Sequence, residues 1–209
     1  SGIAEISNAT KELTKLQQLE IYERCSKKVY IQVQHVFNQK GTKLYLDYCS
    51  IDDACAIAVA RILPHLTQLR RLYFDDNQIE DIGATAIANS IKNLTQLQVL
   101  DLTCNQIGDT GATAIANAIN NLTRLQQLDL HKNQIGDIGA TMIAGSITNL
   151  AQLHSLYLSF NQIGNTGAIS LSNSITKLTR LNYLSLCNNN INEPTKQQLK
   201  KQFGYKLAI

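Results

Sequence analysis

Two groups of residues have the types and spacing for chemistry. Asp109-Thr110-Gly111 is the tripeptide that carries the catalytic carboxylate of aspartic proteases, an activity that needs two such carboxylates close enough to share one proton. Cys104 and His131, with Asp101 and Asp129 beside them, would make a thiolate nucleophile if the fold brought sulfur and imidazole within hydrogen-bond reach. What either group can do depends on the elements that carry it.

Those elements recur. "NQIGDTGATAIANAI" from Asn105 returns with small changes from Asn77, Asn133 and Asn161, and Asn189 continues the series, with Cys49 one period earlier. The period is 28 residues, the mark of a stacked-repeat architecture. Before each asparagine, leucines alternate with other residues, as in Leu97-Gln-Val-Leu100-Asp-Leu102, the pattern of a short strand. After it, Ile115, Ala116, Ile119 and Leu122 form a helical apolar stripe. Neither element buries its apolar face alone, so units must stack. Strands about 4.8 Å apart and helices about 9 Å apart then bend the stack into an arc with the strands inside. Strands are expected at 19-21, 44-46, 72-74, 100-102, 128-130, 156-158 and 184-186.

Asparagine suits the corner after the strand because its amide both donates and accepts, reaching backbone groups that no ladder satisfies. Asp53, Asp81, Asp109, Asp137 and Asn165 share one phase at the start of each helix. There they are expected to cap their own helices. Separate caps are not a proteolytic pair, and an open sheet offers the Cys104/His131 dyad no oxyanion hole, so no catalysis is expected. These residues resemble the leucine-rich repeats, specifically the ribonuclease-inhibitor-like class of about 28 residues per unit. The resemblance implies an α/β solenoid, a horseshoe arc with parallel strands on the concave face and helices on the convex face. It also implies protein recognition on the concave sheet. The richness in Asn, Gln, Ile and Thr is similar to that of leucine-rich-repeat effectors of intracellular bacteria. An alternative from the same repeat class is a GTPase-activating-like regulator of a small GTPase.

One domain is expected over 1-209, divided into a helix of a truncated repeat at 1-16, strand-helix repeats at 17-191 and a capping helix at 192-209. Gly2, Ile6, Leu13 and Leu16 match the helical phase, so the chain is expected to open inside a helix of a longer array. "SKKVYIQVQHVFNQKG" is a helix by phase despite its β-branched residues. Near the end, Glu193 takes the cap phase and Pro194 the first helical position.

Five cysteines without C-x-x-C spacing argue against zinc and suggest reduced thiols in a cytoplasm, the host's if the protein is a secreted effector. No cofactor or metal is implied. The sequons at Asn8, Asn93 and Asn121 matter only in a secretory compartment. A net charge of +3 is too small to imply nucleic acid, and no apolar run has the length of a membrane span, so the expected partner is a protein. The positions free to vary on the strands are rich in aromatic and acidic residues. The candidate partner-binding set is Tyr45, Asp47, Tyr48, Tyr73, Asp75, Asp101, Asp129, His131, Tyr157, Phe160 and Tyr183. Tyr22, Glu20 and Glu23 join that face if 19-21 is a strand. Acids outnumber bases there, which points to a partner with a basic surface.

Overall fold

The computed structural model describes residues 15–204 and 207–209. A helix over 15–24 (α1) and α2 (Lys27–Gln39) precede β1 (Lys43–Tyr45). The repeat then runs α3 (Asp53–Ile62), β2 (Arg71–Tyr73), α4 (Asp81–Ile91), β3 (Val99–Asp101) and α5 (Asp109–Ile119). It continues with β4 (Gln127–Asp129), α6 (Asp137–Ile147), β5 (Ser155–Tyr157), α7 (Asn165–Ile175), β6 (Tyr183–Ser185), α8 (Glu193–Phe203) and β7 (Leu207–Ala208). All seven strands are parallel in one sheet of sequential order, with equivalent residues in register: Tyr45 beside Tyr73, Tyr73 beside Asp101, Asp101 beside Asp129.

The core is a set of vertical ladders. Leu44, Leu72, Leu100, Leu128 and Leu156 stack with no exposed surface, and Leu46, Phe74, Leu102, Leu130 and Leu158 stack beside them. Ile51, Ile79, Ile107, Ile135 and Ile163 close the corner. Each such side chain removed from water contributes about 1.5–3 kcal/mol.

Asn133 shows how the corner is held. Its Oδ1 accepts the Ile107 amide at 3.0 Å. Its Nδ2 donates to the carbonyls of Leu102, Leu130 and His131 at 3.0, 3.2 and 3.3 Å. Two of those four groups belong to the preceding unit. Asn77 does the same for the first unit, its Oδ1 taking the Ile51 amide and also that of Cys49, which stands where later units have asparagine.

The caps differ from the sequence expectation. Asp81, Asp109 and Asp137 are the first helical residues, and no side chain caps the helix from the preceding position. Each carboxylate instead caps the next unit: Asp81 Oδ1 accepts the amides of Gly108 and Gly111, each at 2.8 Å. Asp109 does the same for Gly136 and Gly139. The close approach explains the glycines, because a Cβ on Gly111 would lie 2.8 Å from Asp81 Oδ1 and 2.9 Å from the Ala84 Cβ.

The expected strand at 19-21 is helical. Ile21 is fully buried, while Glu20 pairs with Arg61 of α3 and with Arg24. Tyr22, Glu20 and Glu23 therefore leave the concave set, and the seventh strand lies at β7. Cys25 is disulfide-bonded to Cys55, tying α1 to α3, so not all five thiols are reduced. The segment read as helical despite its β-branching is α2, burying Val29, Val33 and Val36. At the C-terminal helix the cap is Asn192, whose Oδ1 accepts the Thr195 amide, one residue before the expected Glu193. The expected helix over 1-16 lies outside the described residues except at its last two positions, which are helical.

Candidate concave recognition face

Alternation along β1 to β6 leaves three columns of side chains on the inner face. The first holds Lys43, Arg71, Val99, Gln127, Ser155 and Tyr183, and the second Tyr45, Tyr73, Asp101, Asp129, Tyr157 and Ser185. The third, just beyond the strands, holds Asp47, Asp75, Thr103, His131, Ser159 and Cys187. A 4.8 Å rung spacing forces neighbours in a column into contact. Tyr45 and Tyr73 stack with ring centroids 4.9 Å apart and planes 8° apart, and Tyr157 meets Tyr183 at 5.3 Å. Asp101 and Asp129, two like charges, are side by side between these aromatic pairs.

The carboxylates are held by backbone amides. Asp101 Oδ1 accepts the Thr103 amide, Asp129 Oδ1 the His131 amide and Asp47 Oδ1 the Asp75 amide, each at 3.0 Å. Burial raises the pKa of Asp129 to about 6, against the opposing His131 amide bond, and the Asp101 charge pushes it the same way. Asp101 and Asp47 are also raised, chiefly by burial and further by the Asp75 charge. The Thr103 hydroxyl faces Asp101 and Asp129 without a full hydrogen bond to either. Among the described residues, none of these four aspartates has a salt-bridge partner. Thr103 was not among the candidates, although its phase with Asp47, Asp75 and His131 marks it.

Of the expected set, Tyr45, Asp47, Tyr73, Asp75, Asp101, Asp129, His131, Tyr157 and Tyr183 lie on this grid. Tyr48 and Phe160 occupy a fourth column at its rim, with Asp76, Cys104, Lys132 and Asn188. All six have φ between 50° and 55°, a left-handed conformation that side chains other than Gly and Asn adopt at a cost. It turns the chain from strand to corner and splays these side chains outward. Tyr48 is exposed, and the Asp75 charge beside it raises its phenol pKa.

No nucleophilic dyad forms. The Cys104 amide donates to the His131 carbonyl, but the His131 ring lies edge-on to Phe160 at 5.1 Å. Burial, reinforced by Asp75 and Asp76, raises the Cys104 thiol against the pull of Lys132. Asp109 of the protease-like tripeptide is committed to the Gly136 and Gly139 amides.

Models of leucine-rich repeats match residues 67–117 and 95–163. No curated protein sequence matches the chain. Among solved structures, an internalin from Listeria monocytogenes is similar at 30% identity and a TM-score of 0.54, over 83% of this chain and 49% of that one. The ectodomain of the receptor kinase SOBIR1 from Arabidopsis thaliana matches at 20% identity and a TM-score of 0.41, over 62% of this chain and 61% of that one. The chain thus spans about half the length of the internalin it resembles. Repeats of this kind typically form non-enzymatic scaffolds for protein–protein interaction. With seven parallel strands in sequential order backed by helices, the chain has a leucine-rich-repeat-like solenoid fold.

Proposed function

We propose that the concave face is a protein-recognition surface for a partner presenting a basic patch, docked across Tyr45, Tyr73, Asp75, Asp101, Asp129, Tyr157 and Phe160. The observation that carries this reading is the Asp101–Asp129 pair: two half-buried carboxylates on adjacent rungs, framed by aromatic pairs and without a Lys or Arg partner among the described residues. Such a pair is unfavourable alone and favours an incoming ammonium or guanidinium. Exposed aromatics around it supply anchors of the kind that dominate interfaces.

The 28-residue period favours the ribonuclease-inhibitor-like class. The amide-rich composition and the bacterial source of the internalin neighbour support a bacterial effector; the Cys25–Cys55 disulfide weighs against the reducing host cytoplasm in which it was expected to act. The GTPase-regulator alternative rests on fold analogy alone, and a turnover assay across a panel of small GTPases separates it from pure binding.

The central test is affinity capture from a cytosolic extract, followed by kinetics with the identified partner. Replacing Asp75, Asp101 and Asp129 by Asn lowers the association rate and flattens its salt dependence. Tyr73→Ala and Tyr157→Ala each cost about 1–3 kcal/mol, mostly in dissociation. Normal binding by these variants, with loss on changing helix-side Thr85 or Asn89, refutes the proposal.

A further inference from the structure

The modest net charge hides a segregation of charge between the two rims of the solenoid. The loops leaving the strands and the first helical residues carry the acids, among them Asp47, Asp52, Asp75, Asp76, Asp109 and Asp137. The opposite loops, running from each helix to the next strand, cover 40–42, 63–70, 92–98, 120–126, 148–154 and 176–182. They contain no Asp or Glu. They present Lys40, Arg70, Lys92, Arg124, Lys177 and Arg180, all exposed, and none of these six forms a salt bridge among the described residues. Their other exposed side chains are mostly Asn, Gln and Thr, and no large hydrophobic is exposed there.

Helix dipoles account for part of this rim, Lys40 and Lys92 at the C-caps of α2 and α4 and Lys177 just beyond α7, but not for the rest. They favour cations in the last turn of a helix, but Arg124 follows the end of α5, and Arg180 the end of α7, by more than a turn. Both side chains are laid along the rim by a glutamine of the preceding unit: Arg124 donates to Gln96 at 2.6 Å, and Arg180 donates to Gln152. Lys40, Arg70, Lys92 and Arg124 lie on successive units, while the 148–154 loop between Arg124 and the Lys177–Arg180 pair carries no Lys or Arg.

The composition of the edge favours one class of anion. That edge exposes no Phe, Tyr or Trp for base stacking, its one exposed ring being His65, and no large hydrophobic for insertion. From this basic, acid-free edge without exposed apolar side chains we infer a second interaction surface, distinct from the concave face: a peripheral docking site for an anionic lipid bilayer, bound by electrostatics without insertion. The concave face would then stand roughly perpendicular to the membrane, open to a partner.

The test is vesicle co-sedimentation of the purified protein at low and physiological salt. The expected result is binding to phosphatidylcholine vesicles containing about a third phosphatidylserine, none to pure phosphatidylcholine, and release by salt. Each of Lys92→Gln, Arg124→Gln, Lys177→Gln and Arg180→Gln should weaken partitioning roughly fivefold, and the four together abolish it, with unchanged circular dichroism. Asp101→Asn on the concave face should leave it intact. Failure to sediment with anionic vesicles at low salt overturns the inference, as does full binding by a folded quadruple variant. Equal retention by duplex DNA would also overturn it, showing a general polyanion site rather than a bilayer surface. None of these outcomes bears on the concave-face reading.

Discussion

Asp129 gives the sharpest quantitative prediction. Its folded pKa of about 6 stands against an ordinary value of 3.8, a difference of about two units at 1.36 kcal/mol each. That sets a ceiling of about 3 kcal/mol. The side chain is only partly buried, and solvent screening reduces the figure to about 1–2 kcal/mol. The sign follows from proton uptake: between about pH 4 and pH 6 the folded protein holds a proton that the unfolded chain has released. Stability therefore falls as pH rises through that window. Asp129→Asn keeps the shape and an oxygen to accept the His131 amide, but cannot ionise. At about pH 7 it should be more stable than the parent by about 1–2 kcal/mol, raising Tm by about 2–8 °C. The gain should shrink below about pH 6 and vanish below about pH 4. Urea unfolding followed by circular dichroism across that range reads it directly. A variant that is no more stable at neutral pH, or whose gain does not change with pH, refutes the account of a desolvated like-charge pair.

Asn133→Ala orphans one buried amide and up to three carbonyls at the corner and should cost about 3 kcal/mol or more in urea unfolding. Gly111→Ala forces a Cβ against Ala84 and Asp81 and should cost about 1–3 kcal/mol, whereas the same change at Gly145, which meets nothing, should be neutral or stabilising. Reducing Cys25–Cys55 should cost about 2–4 kcal/mol and raise amide exchange in α1 ahead of α4 to α7.

The repeat made most of this fold legible. Leucine phase, asparagine and helical stripe all carry one period, so each strand from β1 to β6 lies within a residue of its expected place. Where the period lapses, so does the inference. Leu19 to Ile21 carries the leucine spacing of a strand, but the same residues fit a helix whose buried side is Ile21, and no corner asparagine follows to decide between them. The phase of Asp81 identifies a cap but not whose helix it serves, because the recipient, Gly111, is distant in sequence. The Cys25–Cys55 bridge is likewise a tertiary fact with no spacing signature. On the concave face, sequence gave residue identities and columns. The burial of Asp129 and the stacking of Tyr45 on Tyr73 depend on neighbours supplied by other units.

The bonds between units run in both directions: Asp81 completes the helix that follows it, and Asn133 completes the corner that precedes it. Because donors and recipients recur at one phase, excising residues 105–132 would join Cys104 to Asn133 and bring Asp81 to Gly136 and Gly139, with every junction bond remade. Loss or duplication of 28 residues is therefore structurally silent at the seam, whereas a change that is not a multiple of 28 breaks both sets of bonds. Such an array can change its length by recombination in whole units, and with it the number of rungs offered to a partner, without passing through an unstable intermediate.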